Sequence, residues 1–429
     1  MKNLKIKVSL FLNYFVFAIL LNSVGTVILQ VQNNFKVTQS AASVLEVFKD
    51  LSIAAVSFVV ASFIVRIGYK KTMLIALGLI TLVVLLVPSL PGFAMVKLLF
   101  AATGVSFALI KVSVFATLGI ITKNKKEHAS LMNFLESFFM VGVLAGYFIF
   151  GYFVDSANPA STSWFKVYYV LGGLSLLAFL LLLSTPLDES AVKNETQKKP
   201  ENEFLEMLAL TAIPLVIVFI VSVFFYVLIE QSIMSWLPTF NSQVLHLSNT
   251  LSIQMASILA ASIALGRFLA GIILRRVHWL PVLAGCIALA AAMVLVAIPL
   301  AQNIDPNTQI NSLADVPLVA FIFPLIGLLL APIYPAINSV ILSSLPERKH
   351  APMSGLIVVF SALGGVFGSV VTGYIFQNYG GQKAFYFSLG PMAILVAALF
   401  ILNRLQKKQA AKITLDAPFA NDSTLKPTE

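Results

Sequence analysis

The chain has 429 residues, of which 59% are hydrophobic and 11% are charged. A soluble domain carries about 25% charged residues, so much of this surface must face lipid rather than water. The net charge of +10 does not indicate nucleic acid, because the basic residues lie in short connectors between apolar runs, as in membrane proteins. We therefore expect no nucleic-acid partner. The single cysteine excludes a disulfide framework, and the four scattered histidines make a poor metal site, so we also expect no cofactor.

Twelve apolar segments are long enough to cross a bilayer, since a spanning helix needs roughly 20 mainly apolar residues. The segments cover 8–31, 40–65, 72–91, 93–122, 128–154, 164–184, 206–238, 249–275, 279–301, 316–345, 351–377 and 383–403. Lys and Arg concentrate in the even-numbered connectors and at both termini, whereas the odd-numbered connectors hold only Lys36, Lys166 and Lys383. This bias predicts a multi-pass protein of the cytoplasmic (inner) membrane with both termini in the cytoplasm.

The second half of the chain repeats the first. Matching residues recur in the same order around the fifth and eleventh segments, pairing His128 with His350, Phe138 with Phe360, Gly142 with Gly364 and Gly146 with Gly368. Such a duplication predicts an all-α polytopic membrane protein made of two six-helix bundles. The bundles are expected to span 1–184 and 206–405, with a polar cytoplasmic linker at 185–205 and a cytoplasmic tail at 406–429.

Charged side chains inside these segments are the first functional candidates. A charge near the bilayer centre costs about 2.5–3.5 kcal/mol on insertion scales, so it usually faces a partner or a water-filled path. Glu46, Lys49 and Asp50 share one face of the second segment, where they form either a neutralised structural set or the proton carriers of a pathway. Lys111 lies near the middle of the fourth segment. It either binds an anionic or polyhydroxy substrate or locks helices together through a buried pair.

Polar and aromatic residues interrupt the seventh segment. Glu230 and Gln231 precede Trp236, a combination that suits sugar binding, because an indole can stack on C–H edges while amide and carboxylate groups bind hydroxyls. The alternative for this group is a place in the aromatic belt at the membrane surface. Tyr334 and Asn338 in the tenth segment are further candidates for substrate binding, although single polar residues often only join helices.

A loop motif and the duplicated layout together resemble a known family. After the second segment, the chain keeps Arg66, Gly68 and Lys70 of the loop signature G-x-x-x-D-R-x-G-R-K, with Val65 in place of the acid. This loop and the twelve-segment layout resemble the major facilitator superfamily, whose two halves are parallel repeats. The resemblance implies a central cavity lined by helices one, four, seven and ten, and access to that cavity from alternating sides of the membrane.

A narrower resemblance concerns the substrate. Phe225–Thr239 and Pro332–Pro335 are similar to motifs of helices seven and ten in the fucose permease-like sugar and proton symporters. Gly25 stands where fucose permeases carry a proton-accepting aspartate, and Lys111 lies in a stretch of helix four that differs from theirs. The resemblance implies uptake of a sugar or another small polar solute together with protons.

We therefore expect a secondary active transporter that works as a monomer in the lipid bilayer, with a small-molecule substrate and protons as its partners. Asp50, Glu46 or Glu230 is the expected proton carrier. One alternative is a proton-driven exporter of a small organic molecule or anion. Another, from a different class, is a non-transporting membrane sensor. An enzyme is not expected, because the sequence offers no nucleophile with a base and no set of metal ligands within the bundle.

Depth counting predicts a gate on the cytoplasmic side. Counting from His128 to Glu136, and from Arg275 to Arg267, gives eight residues in each case. At about 1.5 Å per residue, both charges lie roughly 12 Å from that side. We expect Glu136 and Arg267 to pair when the cytoplasmic side closes and to separate when it opens. The alternative is a pair within one half, such as Glu136 with Lys111.

Overall fold

The structure, a computed structural model, describes residues 4–122, 125–187, 189, 207–302, 304, 310, 312–346 and 349–416. Within these ranges the chain is almost entirely helical, and its β-structure is a single bridge between Leu247 and Ile310. Most of the predicted linker and the end of the predicted tail lie outside the described residues. The all-α prediction is confirmed.

Twelve long helices of the described chain follow the order of the predicted segments, and four of them are in two pieces. The first half contains α1 (Leu4–Asn22 and Val24–Phe35), α2 (Gln39–Ile67), α3 (Tyr69–Leu86), α4 (Phe93–Ile121), α5 (Lys125–Phe153) and α6 (Val167–Leu183). The second half contains α7 (Pro214–Met234 and Leu237–Gln243), α8 (Asn249–Ile273), α9 (Trp279–Gln302), α10 (Val319–Leu330 and Ile333–Ser343), α11 (His350–Tyr379) and α12 (Gly381–Tyr386 and Leu389–Asp416). Eleven helices in the described ranges are long and apolar enough to cross a membrane, and α2, which carries three buried charged residues, is the remaining long helix.

The interrupted helices differ from the continuous segments that the sequence predicts. Pro238 lies in the first turn of the second piece of α7, and Pro332 caps the second piece of α10. Proline has no backbone N–H, so the hydrogen bonds of the preceding turn end there. In α1 the Ser23 hydroxyl donates to the carbonyl of Leu20 at the break. At the other end of the chain, α12 continues through 405 to Asp416, because the Lys, Gln and Ala residues there favour helix.

The duplicated glycines make the same contact in both halves. A Cβ atom added to Gly142 on α5 would lie 2.8 Å from the Cβ of Ala18 on α1. A Cβ atom added to Gly364 on α11 would overlap the backbone of Phe224 on α7. Small residues allow helix backbones to approach closely within a membrane. Helix α5 therefore packs on α1 in the way that α11 packs on α7.

Contacts between the two halves concentrate at one side of the bundle. Because consecutive helices run in opposite directions, the start of α1 and the end of α12 lie on one side, here called the terminal side. On the opposite, far side, amides and hydroxyls join the halves through Gln30 with Asn249, Gln32 with Thr239 and Gln243, Gln39 with Gln243, and Ser156 with Thr250. Glu136 on α5 and Arg267 on α8 are exposed toward the terminal side. The described contacts therefore close the space between the halves on the far side and leave it open on the terminal side.

Candidate substrate and coupling site

Lys111 lies on the inner face of α4. At about 100° per residue, it falls between Phe107, which packs on α1, and Gly104, which packs on α2. The ring of Phe107 is 6.0 Å from that of Phe17, and a Cβ atom added to Gly104 would overlap the backbone of Lys49. Both α1 and α2 contact the second half of the chain, as shown below. The face of α4 that carries Lys111 therefore packs on α1 and α2, and its exposure to the space between the halves stays a prediction.

Two aromatic rings flank the Lys111 ammonium. Its Nζ is 5.8 Å from the ring centroid of Phe107 and 6.0 Å from that of Phe115. A ring face attracts a cation at about this distance. The ion pairs of the described residues are Lys7–Glu127, Lys49–Glu46 and Lys49–Asp50. The alternative pair of Glu136 with Lys111 is therefore not formed in this conformation, and Lys111 has no carboxylate partner among the described residues.

Glu230 forms a polar wall of the second half together with two tyrosines. The Tyr226 hydroxyl donates a hydrogen bond of 2.7 Å to Glu230 Oε1, and the Tyr226 ring lies 5.7 Å from Tyr334 on α10. The Tyr334 hydroxyl is 3.2 Å from the hydroxyl of Ser361 on α11. Arg267 on α8 is close enough for its charge to act on the Glu230 carboxylate. Helices α7, α10 and α11 thus present one connected set of a carboxylate and hydroxyl groups, here called the hydroxyl wall.

The other candidates of α7 and α10 differ in how accessible they are. Gln231 is half-buried, and its Oε1 accepts a hydrogen bond of 3.1 Å from the Ser235 hydroxyl, which leaves its NH₂ group for another partner. Asn338 is also half-buried, and its Oδ1 has no hydrogen-bond partner among the described residues. Trp236 is fully buried, with its indole N–H 3.0 Å from the carbonyl of Ser369. In this conformation Trp236 packs inside the closed far side, so its contact with a substrate stays a prediction.

Glu46, Lys49 and Asp50 form a buried ion set on α2. The Lys49 Nζ is 2.7 Å from Glu46 Oε1 and 3.5 Å from Asp50 Oδ1, and all three residues are less than a tenth exposed. The second oxygen of Asp50 packs against Gly365 on α11, where an added Cβ atom would overlap it and would lie 3.5 Å from Gln231 Cγ. The ion set therefore lies at the contact between the halves, and its two carboxylates share one lysine.

The position of the fucose permease aspartate has no room for a side chain here. A Cβ atom added to Gly25 on α1 would lie 2.9 Å from the carbonyl oxygen of Met234 and 3.0 Å from that of Ser235, both on α7. Contacts this short with backbone atoms would force the two helices apart. The acids of the ion set and Glu230 remain the candidates for proton binding.

Glu136 and Arg267 do not form an ion pair in this conformation. Arg267 lies instead against α5, with its Nη1 3.8 Å from the sulfur of Met140. Met140 follows Glu136 by about one helical turn, or about 5.4 Å along α5. Separated charges beside an open terminal side are compatible with the predicted gate, which stays a prediction.

The loop between α2 and α3 contacts the end of the first half. Gly68 has φ +92°, in the region that favours glycine. The backbone N–H of Lys70 donates a hydrogen bond of 2.6 Å to Glu189 Oε1, and its ammonium donates to the carbonyl of Leu183. The side chain of Arg66 lies outside the described residues. Glu189 thus caps the start of α3, in a loop where Val65 replaces the acid of the family signature.

The sequence profile of the family described as Major Facilitator Superfamily matches residues 10–323 and 308–424, which together cover nearly the whole chain. The chain belongs to the major facilitator superfamily. It is therefore a multi-pass membrane transporter of small molecules and not an enzyme. No curated protein matches the sequence.

Solved transporters share the fold of this superfamily member at low identity. The nucleoside transporter NupG is 16% identical, with 92% of this chain and 98% of NupG covered and a TM-score of 0.69. A bacterial homologue of the human lysosomal transporter Spinster, inward-facing and unoccupied, is 15% identical, with coverage of 94% and 97% and a TM-score of 0.72. The E. coli fucose:proton symporter FucP, in the outward conformation, is 15% identical, with coverage of 94% and 99% and a TM-score of 0.60. At these identities the likeness shows the fold alone.

Sequence reasoning missed three residues of this site. Tyr226 lies four residues before Glu230, and this spacing on a helix could have predicted their hydrogen bond. Ser361 and Gly365 on α11 contact Tyr334 and Asp50, respectively. Those contacts depend on how α10, α11 and α2 approach each other, which no spacing within one segment indicates.

Proposed function

We propose that this member of the superfamily is a proton-coupled secondary transporter that carries a small polar solute, such as a sugar, across the cytoplasmic membrane by alternating access. It works as a monomer with both termini in the cytoplasm, so that the terminal side of the bundle is the cytoplasmic side. The excess of Lys and Arg at the termini and in the even-numbered connectors supports this orientation. Proteins of this architecture bind their solutes near the bilayer midplane, between the halves.

One observation carries the proposal: the helices expected to line the cavity carry a cation in the first half and a carboxylate with hydroxyl groups in the second half. Lys111 contributes a cation from α4, while Glu230, Tyr226 and Tyr334 contribute a carboxylate and hydroxyls from α7 and α10. Charged groups at this depth are costly unless they line a pathway or pair with each other. Since Lys111 has no carboxylate partner among the described residues, a solute path explains its presence better than a structural pair.

The ion set on α2 supports coupling to protons. Asp50 is sealed against Gly365 of α11 while the far side is closed, and this contact must separate when the far side opens. Water from outside would then reach Asp50 and could deliver a proton. Two carboxylates and one lysine carry a net negative charge, so proton binding neutralises the set before it is buried again. Glu230, beside the hydroxyl wall, is the second candidate for this role.

The test is solute accumulation in proteoliposomes with a panel of labelled sugars, organic acids and amino acids. Uphill accumulation that depends on an imposed proton gradient and stops with a protonophore supports the proposal. Extrusion driven by the same gradient would favour the exporter. Accumulation that needs a sodium gradient instead would show that the coupling ion is wrong. Movement of no solute in the panel, in either direction, would favour a non-transporting sensor.

A further inference from the structure

Glu230 of the hydroxyl wall and Lys111 differ in the partners that the described residues offer to their charges. On the hydroxyl wall, Glu230 accepts a hydrogen bond from Tyr226 and lies within electrostatic reach of Arg267. The Glu230 carboxylate therefore already has a hydrogen-bond donor and a nearby cation. Lys111 is half-buried, is flanked by Phe107 and Phe115, and has no carboxylate within ion-pair distance among the described residues. Lys111 is thus a cation without an ion-pair partner among the described residues.

The other charges of the interior do not supply that anion in this conformation. Glu46 and Asp50 both pair with Lys49, and Asp50 is held against α11. Glu136 is exposed and lies within electrostatic reach of Tyr14, whose ring packs against Phe107 and Phe115, but it forms no ion pair with Lys111 in this conformation. A ring face is a weaker partner for an ammonium than a carboxylate, with which a lysine makes a short, charge-assisted hydrogen bond.

The hydroxyl wall fits alcohol groups rather than a second charge. A hydroxyl both donates and accepts hydrogen bonds. Glu230 offers acceptor oxygens, Tyr334 and Ser361 offer hydroxyls, and the Gln231 side chain retains its NH₂ donor. An ammonium group on the solute would bring a positive charge to a carboxylate on which Arg267 already acts. Several hydroxyl groups, by contrast, satisfy the wall without adding charge to it.

We propose that the transported solute is a polyhydroxylated carboxylate, that is, a sugar acid. Its carboxylate binds Lys111 on α4 and its hydroxyl groups bind the wall formed by α7, α10 and α11. This inference rests on the proposed function and specifies the substrate class of the same site. It also assigns unlike ends of one solute to the two halves, so that the bound solute bridges the halves.

The experiment compares solutes that differ in one group, in proteoliposomes and by ligand-induced thermal stabilisation of the purified protein. Glucuronate and glucose differ only in a carboxylate against a hydroxymethyl group, and gluconate and a zwitterionic amino acid complete the set. The wild-type protein should prefer the sugar acids over glucose by about ten- to a hundredfold, the worth of a hydrogen bond to a charged group. Lys111→Gln should lose that preference, while Lys111→Arg should retain most of it.

Lys97 provides the matched control, because it lies on the same helix and its ammonium also sits over a ring, 5.1 Å from the centroid of Phe93. Lys97→Gln should keep the wild-type preference. If the wild-type protein accumulates glucose as well as glucuronate, or accumulates the amino acid and neither sugar acid, the inference is wrong while the transport function stands. If no solute moves at all, the proposed function itself fails. A lost preference in Lys97→Gln as well as in Lys111→Gln would also overturn the assignment to Lys111.

Discussion

Glu136→Gln should hold the protein open on the terminal side. In the present conformation Glu136 and Arg267 are both exposed, so the substitution costs little there. When the terminal side closes, α5 and α8 bury Arg267 without its partner, which costs about 3–5 kcal/mol. Since about 1.4 kcal/mol changes an equilibrium tenfold, the closed population should fall by roughly a hundredfold or more. Arg267→Gln should also reduce the closed population, because it leaves the Glu136 carboxylate alone on closure, although it removes in addition the cation within electrostatic reach of Glu230.

The assay is the distance between two spin labels on the terminal side, measured with and without solute. Phe134 on α5 and Phe268 on α8 are 66% and 67% exposed, so cysteines there should accept labels without disturbing the core. The single native cysteine, Cys286, is first replaced by alanine. Solute should shorten the distance in the otherwise unmodified protein but not in Glu136→Gln.

Two double variants separate pairing from a general loss of charge. Glu136→Gln combined with Arg267→Gln removes both buried charges and should restore much of the closed population. Glu136→Arg combined with Arg267→Glu should restore it as well, because the pair is reversed but intact. The gate is refuted by a terminal-side-closed structure in which the two side chains lie more than about 8 Å apart, beyond the reach of a direct ion pair.

Four further variants test the ion set, Glu230 and the far side. Lys49→Met leaves Glu46 and Asp50 buried without their shared cation, so the unfolding free energy in detergent should fall by about 3–5 kcal/mol; an unchanged melting temperature would contradict this. Asp50→Asn and Glu230→Gln should each be tested for solute exchange and for uphill accumulation. We expect the variant of the proton carrier to keep exchange but to lose accumulation. Full accumulation in both variants would exclude Asp50 and Glu230 as proton carriers. Gly25→Ala should weaken the far-side closure by about 1–3 kcal/mol, because the added methyl group overpacks against the backbone of Met234. The interior should then be labelled more readily by a reagent added from outside. Gly92→Ala is the control and should have no effect, because an added Cβ atom there has no neighbour within 4 Å.

The sequence predicted the fold well because the signals for it are local. A spanning helix can be recognised from its length and hydropathy. The duplicated glycines Gly142 and Gly364 lie where two helices approach each other closely. The breaks beside Pro238 and Pro332 could also have been predicted, since proline interrupts the helical hydrogen bonds. The break at Ser23 could not, because serine within a helix is ordinary and its neighbours there give no other signal.

The site was harder to predict, because it depends on which conformation the halves adopt. The pattern around Trp236 suggested a sugar-binding indole, yet here that side chain is buried and donates to Ser369. The depth count placed Glu136 level with Arg267, yet here Arg267 contacts Met140, one turn away. A sequence gives the positions of charges along each helix. Contacts across the junction change as the halves rock, so one sequence pattern must serve at least two sets of neighbours.

The duplication itself offers a way to separate charges that the fold needs from charges that the function needs. The repeat that pairs Gly142 with Gly364 also pairs Lys111 with Ile333, which is fully buried in α10. The same architecture therefore accepts an apolar side chain at this position, so folding does not require the lysine. A lysine costs about 2.5–3.5 kcal/mol at the centre of a spanning helix, whereas isoleucine is favourable there. Lys111→Ile should consequently fold with an unchanged or higher melting temperature while losing transport of the solute. A variant with a clearly lower melting temperature would show that Lys111 supports the packing of the first half, and one with normal transport would remove it from the substrate site.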